Sequence, residues 1–236
     1  MIFKKDEIDD SMDDYVSRQE FNKLKRRINS HQSYLNFINT FYELEPKPFL
    51  EQLTGLSHEF IRLFDNVCLK NGIEYWIDLE TLRSAVLHGE LVPWNDEISV
   101  AMAEKDYLKL IEVFHSETDF ENVSFDDNGE CLKVKYEISE FDGDLINITV
   151  LKYDLNGKDG LNEDMVFPLK KIPFGKSEVF APNDSYNYLK EIYGETMAIP
   201  PKVHDHGKFN KYLNRPDIVE VLKKANSVLV GINEEF

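Results

Sequence analysis

The chain has 236 residues, with 44 Asp and Glu against 27 Lys and Arg, and a formal net charge of −17. That balance excludes a nucleic-acid partner, which needs a basic footprint for its phosphates, and an anionic membrane would repel most of the surface, although one local basic pocket would still admit a nucleotide. A hydrophobic content of 42% suffices for a sizeable core, and no run of about 18 apolar residues exists, so no transmembrane segment is expected.

Residues 1–18 carry a dense acidic run from Asp6 to Asp14 and read as a loosely attached leader, without an apolar stretch of secretory length. Phe21, Leu24, Ile28, Leu35, Ile38 and Tyr42 then recur at helical spacing, with Lys23, Lys25, Arg26 and Arg27 on the early turns. This segment, ended by Pro46 and Pro48, is expected to be a helical extension or, through residues 19–45, a homo- or hetero-oligomer surface. The spacing of Leu53, Leu56, Phe60, Leu63, Phe64 and Val67 predicts a second helix, stopped at Asn71-Gly72. Ile73 to Ile77 has the β-branched and aromatic content of a strand, and Asp78 can cap a short helix through Thr81, Leu82, Ala85 and Val86. A loop opens at His88-Gly89 and ends at Pro93-Trp94, followed by a strand from Glu97 to Met102 and a helix from Glu104 to Phe114.

Further strands are expected over Cys131 to Ile138, where Leu132, Val134 and Tyr136 alternate with Lys133, Lys135 and Glu137, and over Leu145 to Leu151, with a turn at Glu140 to Asp144 between them. A surface loop at Asn156 to Gly160, a small hairpin around Pro173-Phe174-Gly175 and a helix capped by Asp184 or Ser185 and ended by Gly194 come next. A last helix starts at Pro216 and carries Val219, Leu222, Ala225 and Leu229. Helices and strands in this alternation make an α/β unit rather than a bundle. Cys68 and Cys131, the only cysteines, read as buried reduced thiols, which suits a cytoplasmic protein.

On a strand, residues two apart share a face, so Asn95, Glu97 and Ser99 point together. Three carboxylates there, joined by one from a neighbouring strand, would clamp the divalent cation that phosphoryl or nucleotidyl transfer uses to bridge phosphate oxygens. This chain offers Glu97 on that face, while Asp96 is expected to point to the other, unless the strand starts later. Asn95, Ser99 and Asn147 supply neutral oxygens that cancel no charge, whereas magnesium prefers carboxylates in near-octahedral geometry. Thr81 at the helix start, Arg83, His88 and Trp94 are candidates for substrate contacts. Each also has a plain structural reading: Arg83 and Glu80 as exposed helix residues, His88 as a hydrogen-bonding loop residue, Trp94 as a loop anchor. His204-Asp205-His206 reads as a surface turn and Lys170-Lys171 as a solvated pair.

The residues Phe64-Asp65, Cys68 to Ile73, Tyr75-Trp76, Thr81-Leu82, His88-Gly89, Pro93-Trp94 and Asp106-Tyr107 form one set of matches. With Phe167-Pro168-Leu169, Pro173-Phe174, Pro182, Tyr188-Leu189-Lys190, Tyr193-Gly194 and Pro200-Pro201 they resemble the LicD family, which includes the fukutin-related proteins, across residues 50–205. The resemblance implies an α+β fold: a nucleotidyltransferase-like mixed β-sheet with flanking helices and an N-terminal helical extension, divided into residues 1–48 and 49–236. It also implies attachment of phosphocholine or a sugar-alcohol phosphate to surface glycans or teichoic acids, from a CDP-linked donor and with magnesium. Glu97 and Asp96 are then the candidate catalytic and metal-holding residues. The chain departs from the family where Asp is usual, at Asn95, Glu97, Ser99 and Asn147, and also at Glu80, Arg83, Ser84, Leu87 and Thr149-Val150.

The expectation is therefore a LicD-like protein, catalytically impaired, with magnesium if active and no cofactor otherwise. An active CDP-donor transferase and a non-catalytic subunit binding glycan, nucleotide or a partner are the alternatives. The expected setting is cytoplasmic, at most peripheral at the inner membrane face.

Overall fold

The computed structural model describes residues 22–27, 48–92, 97–116, 122–141, 145–153, 163–197 and 211–236. Residues 22–27 are helical with exposed side chains. The acidic leader, most of the 19–45 segment, the Asn156 to Gly160 loop and His204-Asp205-His206 lie outside the described residues.

Helix α1, Pro48–Lys70, forms where the apolar stripe predicts it and buries Phe49, Leu53, Leu56, Phe60, Leu63, Phe64 and Val67; each such side chain contributes about 1.5–3 kcal/mol of transfer free energy. Gly72, with φ 58°, closes it: its N–H donates to the Leu69 carbonyl and the Ile73 N–H to the Cys68 carbonyl, at 3.1 and 2.9 Å. Those bonds occupy residues that β propensity assigns to a strand, so β1 is reduced to Trp76–Ile77.

Helix α2, Leu79–His88, is capped by Asp78 at its start and by Gly89, left-handed at φ 74°, at its end. Strand β2, Glu97–Ala103, and helix α3, Glu104–Ser116, follow. Strand β3, Val123–Asp127, was not evident from the pattern, because only Val123 and Phe125 in it are large and apolar; it is an edge strand paired antiparallel to β4, Cys131–Tyr136. Strand β5 is Ile146–Tyr153. A short helix α4, Glu163–Val166, precedes the hairpin β6, Lys170–Phe174, and β7, Ser177–Ala181. Asp184, rather than Ser185, caps α5, Ser185–Tyr193, and Pro216 opens α6, Pro216–Glu234.

The main sheet has the order β1-β2-β5-β4-β3; β2 and β5 run parallel and every other pair is antiparallel. A mixed sheet with flanking helices is the nucleotidyltransferase-like α+β fold expected.

One face is apolar, with Ile98, Val100, Leu132, Val134, Tyr136, Ile148 and Val150 all buried. Phe60, Leu63, Phe64 and Val67 of α1 meet Phe114 of α3 on Val123 and Val134 of that face. Helix α6 backs α1, where Asn233 donates to the Glu59 carbonyl at 2.9 Å and accepts from Asn66 at 3.1 Å. The core continues from Phe49 to Leu229. Cys68 is buried as expected, whereas Cys131 is only half-buried because it begins β4 beside a turn; both are free thiols.

Candidate functional site

The other sheet face is polar, and register sets its composition. Glu97 on β2 lies opposite Asn147 on β5, and Ser99 opposite Thr149. On the far side of β5, Asn147 pairs with Lys135 and Thr149 with Lys133. Cross-strand partners share a face, so one row reads Glu97, Asn147, Lys135 and the next Ser99, Thr149, Lys133. The Thr149 hydroxyl donates to Glu97 Oε1 at 2.8 Å, with Asn147 Oδ1 at 3.5 Å, which confirms that these side chains converge. Glu97 and Ser99 thus share the face that alternation predicts for them, and Asn147 stands beside Glu97.

Helix α2 closes one end of the face. The Ser99 N–H donates to Thr81 Oγ1 at 2.9 Å and the Asp78 N–H to the Ser99 carbonyl at 2.9 Å. Thr81 is fully buried, and its oxygen ties helix to strand. Arg83 is not an exposed helix residue: its side chain is 6% accessible, 2.6 Å from Glu80 Oε2, with the guanidinium 4.5 Å from the Tyr193 ring centre of α5. Burial against α5 costs a guanidinium its water, and the carboxylate and aromatic face replace that solvation. His88, half-buried in the last turn of α2, has its pKa lowered chiefly by burial; Glu90 opposes the shift and Arg83 reinforces it. Trp94, Asn95 and Asp96 lie outside the described residues.

Beneath α2, Asp78 is completely buried. Its Oδ1 accepts from the Leu79 N–H at 2.7 Å and the Tyr188 hydroxyl at 2.9 Å, and its Oδ2 from the Tyr153 hydroxyl at 2.9 Å. Burial raises its pKa, and these three donors hold the shift back. Leu79, at φ 47°, takes a left-handed conformation that L residues disfavour by roughly 1–2 kcal/mol. The Asp78 carboxylate offsets that cost locally.

A divalent ion fits this donor set poorly. Glu97 supplies a carboxylate, Asn147 and Ser99 supply neutral oxygens, and the adjoining strand places Lys133 and Lys135, not acids, beside Thr149 and Asn147. Among the described residues, no group of three or more His, Cys, Asp or Glu side chains could hold a metal ion. Lys133, Lys135 and Thr149 are the site residues that sequence reasoning missed. The Lys-x-Lys alternation marked a wet strand face, but its pairing with Asn147 and Thr149 depends on register. A separate cleft of about 720 Å³, lined in part by Tyr75, Phe167, Phe180, Glu74 and Glu163, opens between α1, β1 and α4, away from Glu97.

Comparison with known proteins gives the same assignment. Residues 72–184 match the family model described as LicD/FKTN/FKRP, nucleotidyltransferase domain. An uncharacterized protein of Rickettsia prowazekii is 26% identical over 155 residues, covering 62% of this chain and 54% of that protein. An uncharacterized protein of Rickettsia typhi is 26% identical over 151 residues, covering 62% and 46%. The chain spans about half the length of these curated relatives. Residues 72–184 therefore match the nucleotidyltransferase domain of the LicD/FKTN/FKRP family.

Proposed function

We propose that the chain serves the attachment of phosphocholine or a related phosphoryl group to a surface glycan or teichoic acid, as a LicD-type domain that binds a phosphate-bearing ligand such as a CDP-linked donor while its metal-dependent transfer step is impaired. The observation that carries this reading is the row Glu97, Asn147, Lys135, in which a single carboxylate stands among neutral and cationic neighbours. Transfer needs the charge developing on the phosphoryl oxygens to be met by fixed cations. Loss of even one group that stabilises such charge costs about 3–4 kcal/mol, or some 10²–10³ in rate.

The division into an extension, residues 1–48, and a domain, residues 49–236, belongs to the same proposal; among the described residues the core runs from Phe49 to Leu229. So does a cytoplasmic setting, at most peripheral at the inner membrane face.

The test is CMP release from CDP-choline and CDP-ribitol, with magnesium and a teichoic-acid acceptor. Wild-type protein is expected to release CMP at the background rate, unchanged in Glu97→Gln. Release well above background that disappears in Glu97→Gln would show an active transferase and end the proposal.

A further inference from the structure

Helices α1 and α2 meet the β6–β7 hairpin at its turn. The hairpin is a two-stranded sheet of its own, apart from the main sheet. The Gly175 N–H ties the turn to the end of α2 by donating to the Gly89 carbonyl at 2.7 Å. From the other side His58 of α1 presses on the same turn. A Cβ at Gly175 would sit 2.8 Å from His58 Cε1 and 3.3 Å from its Nδ1, so only a glycine admits the ring there. The fully buried Phe174 ring is 4.9 Å away and tilted by 58°. His58 Nδ1 is itself buried and has no hydrogen-bond partner among the described residues.

A neutral imidazole can leave that nitrogen as a bare lone pair, whereas an imidazolium carries N–H on both nitrogens. Protonation therefore creates a charged donor at a buried position that holds no acceptor, which disfavours the closed arrangement. The charges around the ring do not cancel it. Glu59, beside it on α1, is 3.5 Å from Arg62 and accepts from the Asn233 amide of α6 at 3.0 Å. Lys176, next to Gly175 on the turn, is a like charge. On the α2 side His88 and Glu90 flank Gly89, and Glu90 acts on His88. Burial accordingly holds the His58 pKa below its ordinary value, with Glu59 opposing and Lys176 reinforcing. We propose that His58 is an acid-operated catch: protonation of its ring pushes the β6–β7 turn off α1 and opens the hydrogen bond between Gly175 and Gly89. Gly89 ends α2, and the buried Leu91 and Val92 after it lead the chain toward Glu97 at the start of β2. The catch thus sets how firmly the segment entering the polar face is held, whatever ligand that face takes.

The experiment is amide hydrogen exchange of the full chain, read by NMR at pH 7.5 and pH 5.5 and corrected for the intrinsic pH dependence of exchange. Protection of the Gly175 N–H is expected to fall about tenfold, the excess of imidazolium over imidazole in the opened turn one unit below 6.5. It should stay below that of the Ile148 N–H, in the centre of the sheet, at both pH values, which marks local opening rather than global unfolding. His58→Gln, which cannot titrate, should abolish the fall, and Lys176→Met should reduce it. Melting midpoints near wild type at pH 7.5 confirm that the variants are folded. Where His58→Gln does not fold, Lys176→Met and the titration midpoint of the His58 ring resonance in wild type decide. That midpoint is expected below 6.5. Gly175 protection that is unchanged with pH or equal to that of Ile148 would overturn the proposal. So would a fall that persists in full in His58→Gln or Lys176→Met, or a ring midpoint at or above 6.5.

Discussion

At the scale of single residues, Asp78 shows how much a helix cap can do beyond capping. Its sequence position marks it as the start of α2, and it does accept from the Leu79 N–H. Its other partners, the hydroxyls of Tyr153 and Tyr188, come from 75 and 110 residues away and tie α2 to β5 and α5. A hydrogen bond to a buried charged group contributes about 1.5–3 kcal/mol, so Tyr188→Phe is expected to lower unfolding free energy by that amount in urea denaturation. A loss below about 0.5 kcal/mol, typical of an uninvolved surface position, would mean that the tyrosine is not supporting the carboxylate. Arg83 teaches a similar lesson. A charged residue on a short helix reads as solvated until the packing of Tyr193 against it is known.

At the scale of elements, the β6–β7 hairpin is held against the rest of the fold at its turn. The Gly175 N–H donates to the Gly89 carbonyl at 2.7 Å, joining the hairpin to the end of α2. Gly175 has φ 62°, and a Cβ there would lie 2.8 Å from His58 Cε1 on α1. Gly175→Ala is therefore expected to cost about 1–2 kcal/mol from the left-handed backbone, plus the displacement of His58, which itself packs on Phe174 at 4.9 Å. Thermal or chemical denaturation checks this, and a melting midpoint equal to wild type would refute the close contact. The hairpin and its glycine were legible from the sequence, since turn residues announce themselves locally. The extent of β1 was not, because the helix-closing bonds of Gly72 and Ile73 compete for the same residues. Nor was β3, whose pairing with β4 compensates for weak intrinsic preference.

At the scale of the whole molecule, stability is expected to vary with pH through two histidines. Burial lowers the pKa of His58, with Glu59 opposing and Lys176 reinforcing, and burial likewise lowers that of His88. A base whose folded pKa lies below its unfolded value binds fewer protons when folded. Its stabilising contribution is therefore complete above the unfolded pKa, near 6.5, and is lost as pH falls from there through the folded value. The melting midpoint should fall between pH 7.5 and pH 5.5, and His58→Gln should reduce that fall while His88 leaves part of it. An unchanged pH dependence in the variant would show that His58 titrates as it does in the unfolded chain. Net charge acts on the same scale. With −17 to accommodate, the compact chain carries a self-repulsion that added salt screens.

Sequence alone determined the helices and strands whose apolar period is long and unbroken, the helix ends marked by Gly72, Gly194 and Pro216, and the alternation that turns Glu97 and Ser99 to one face. It also exposed the missing carboxylates, since residue identity at alternate positions of a strand needs no coordinates to read. Tertiary structure alone decided which residues meet there: the parallel pairing of β2 with β5, the placing of Lys133 and Lys135 beside Thr149 and Asn147, and the burial of Asp78 and Arg83. These depend on register and on packing between segments far apart in the chain, and neither leaves a local signature in either partner.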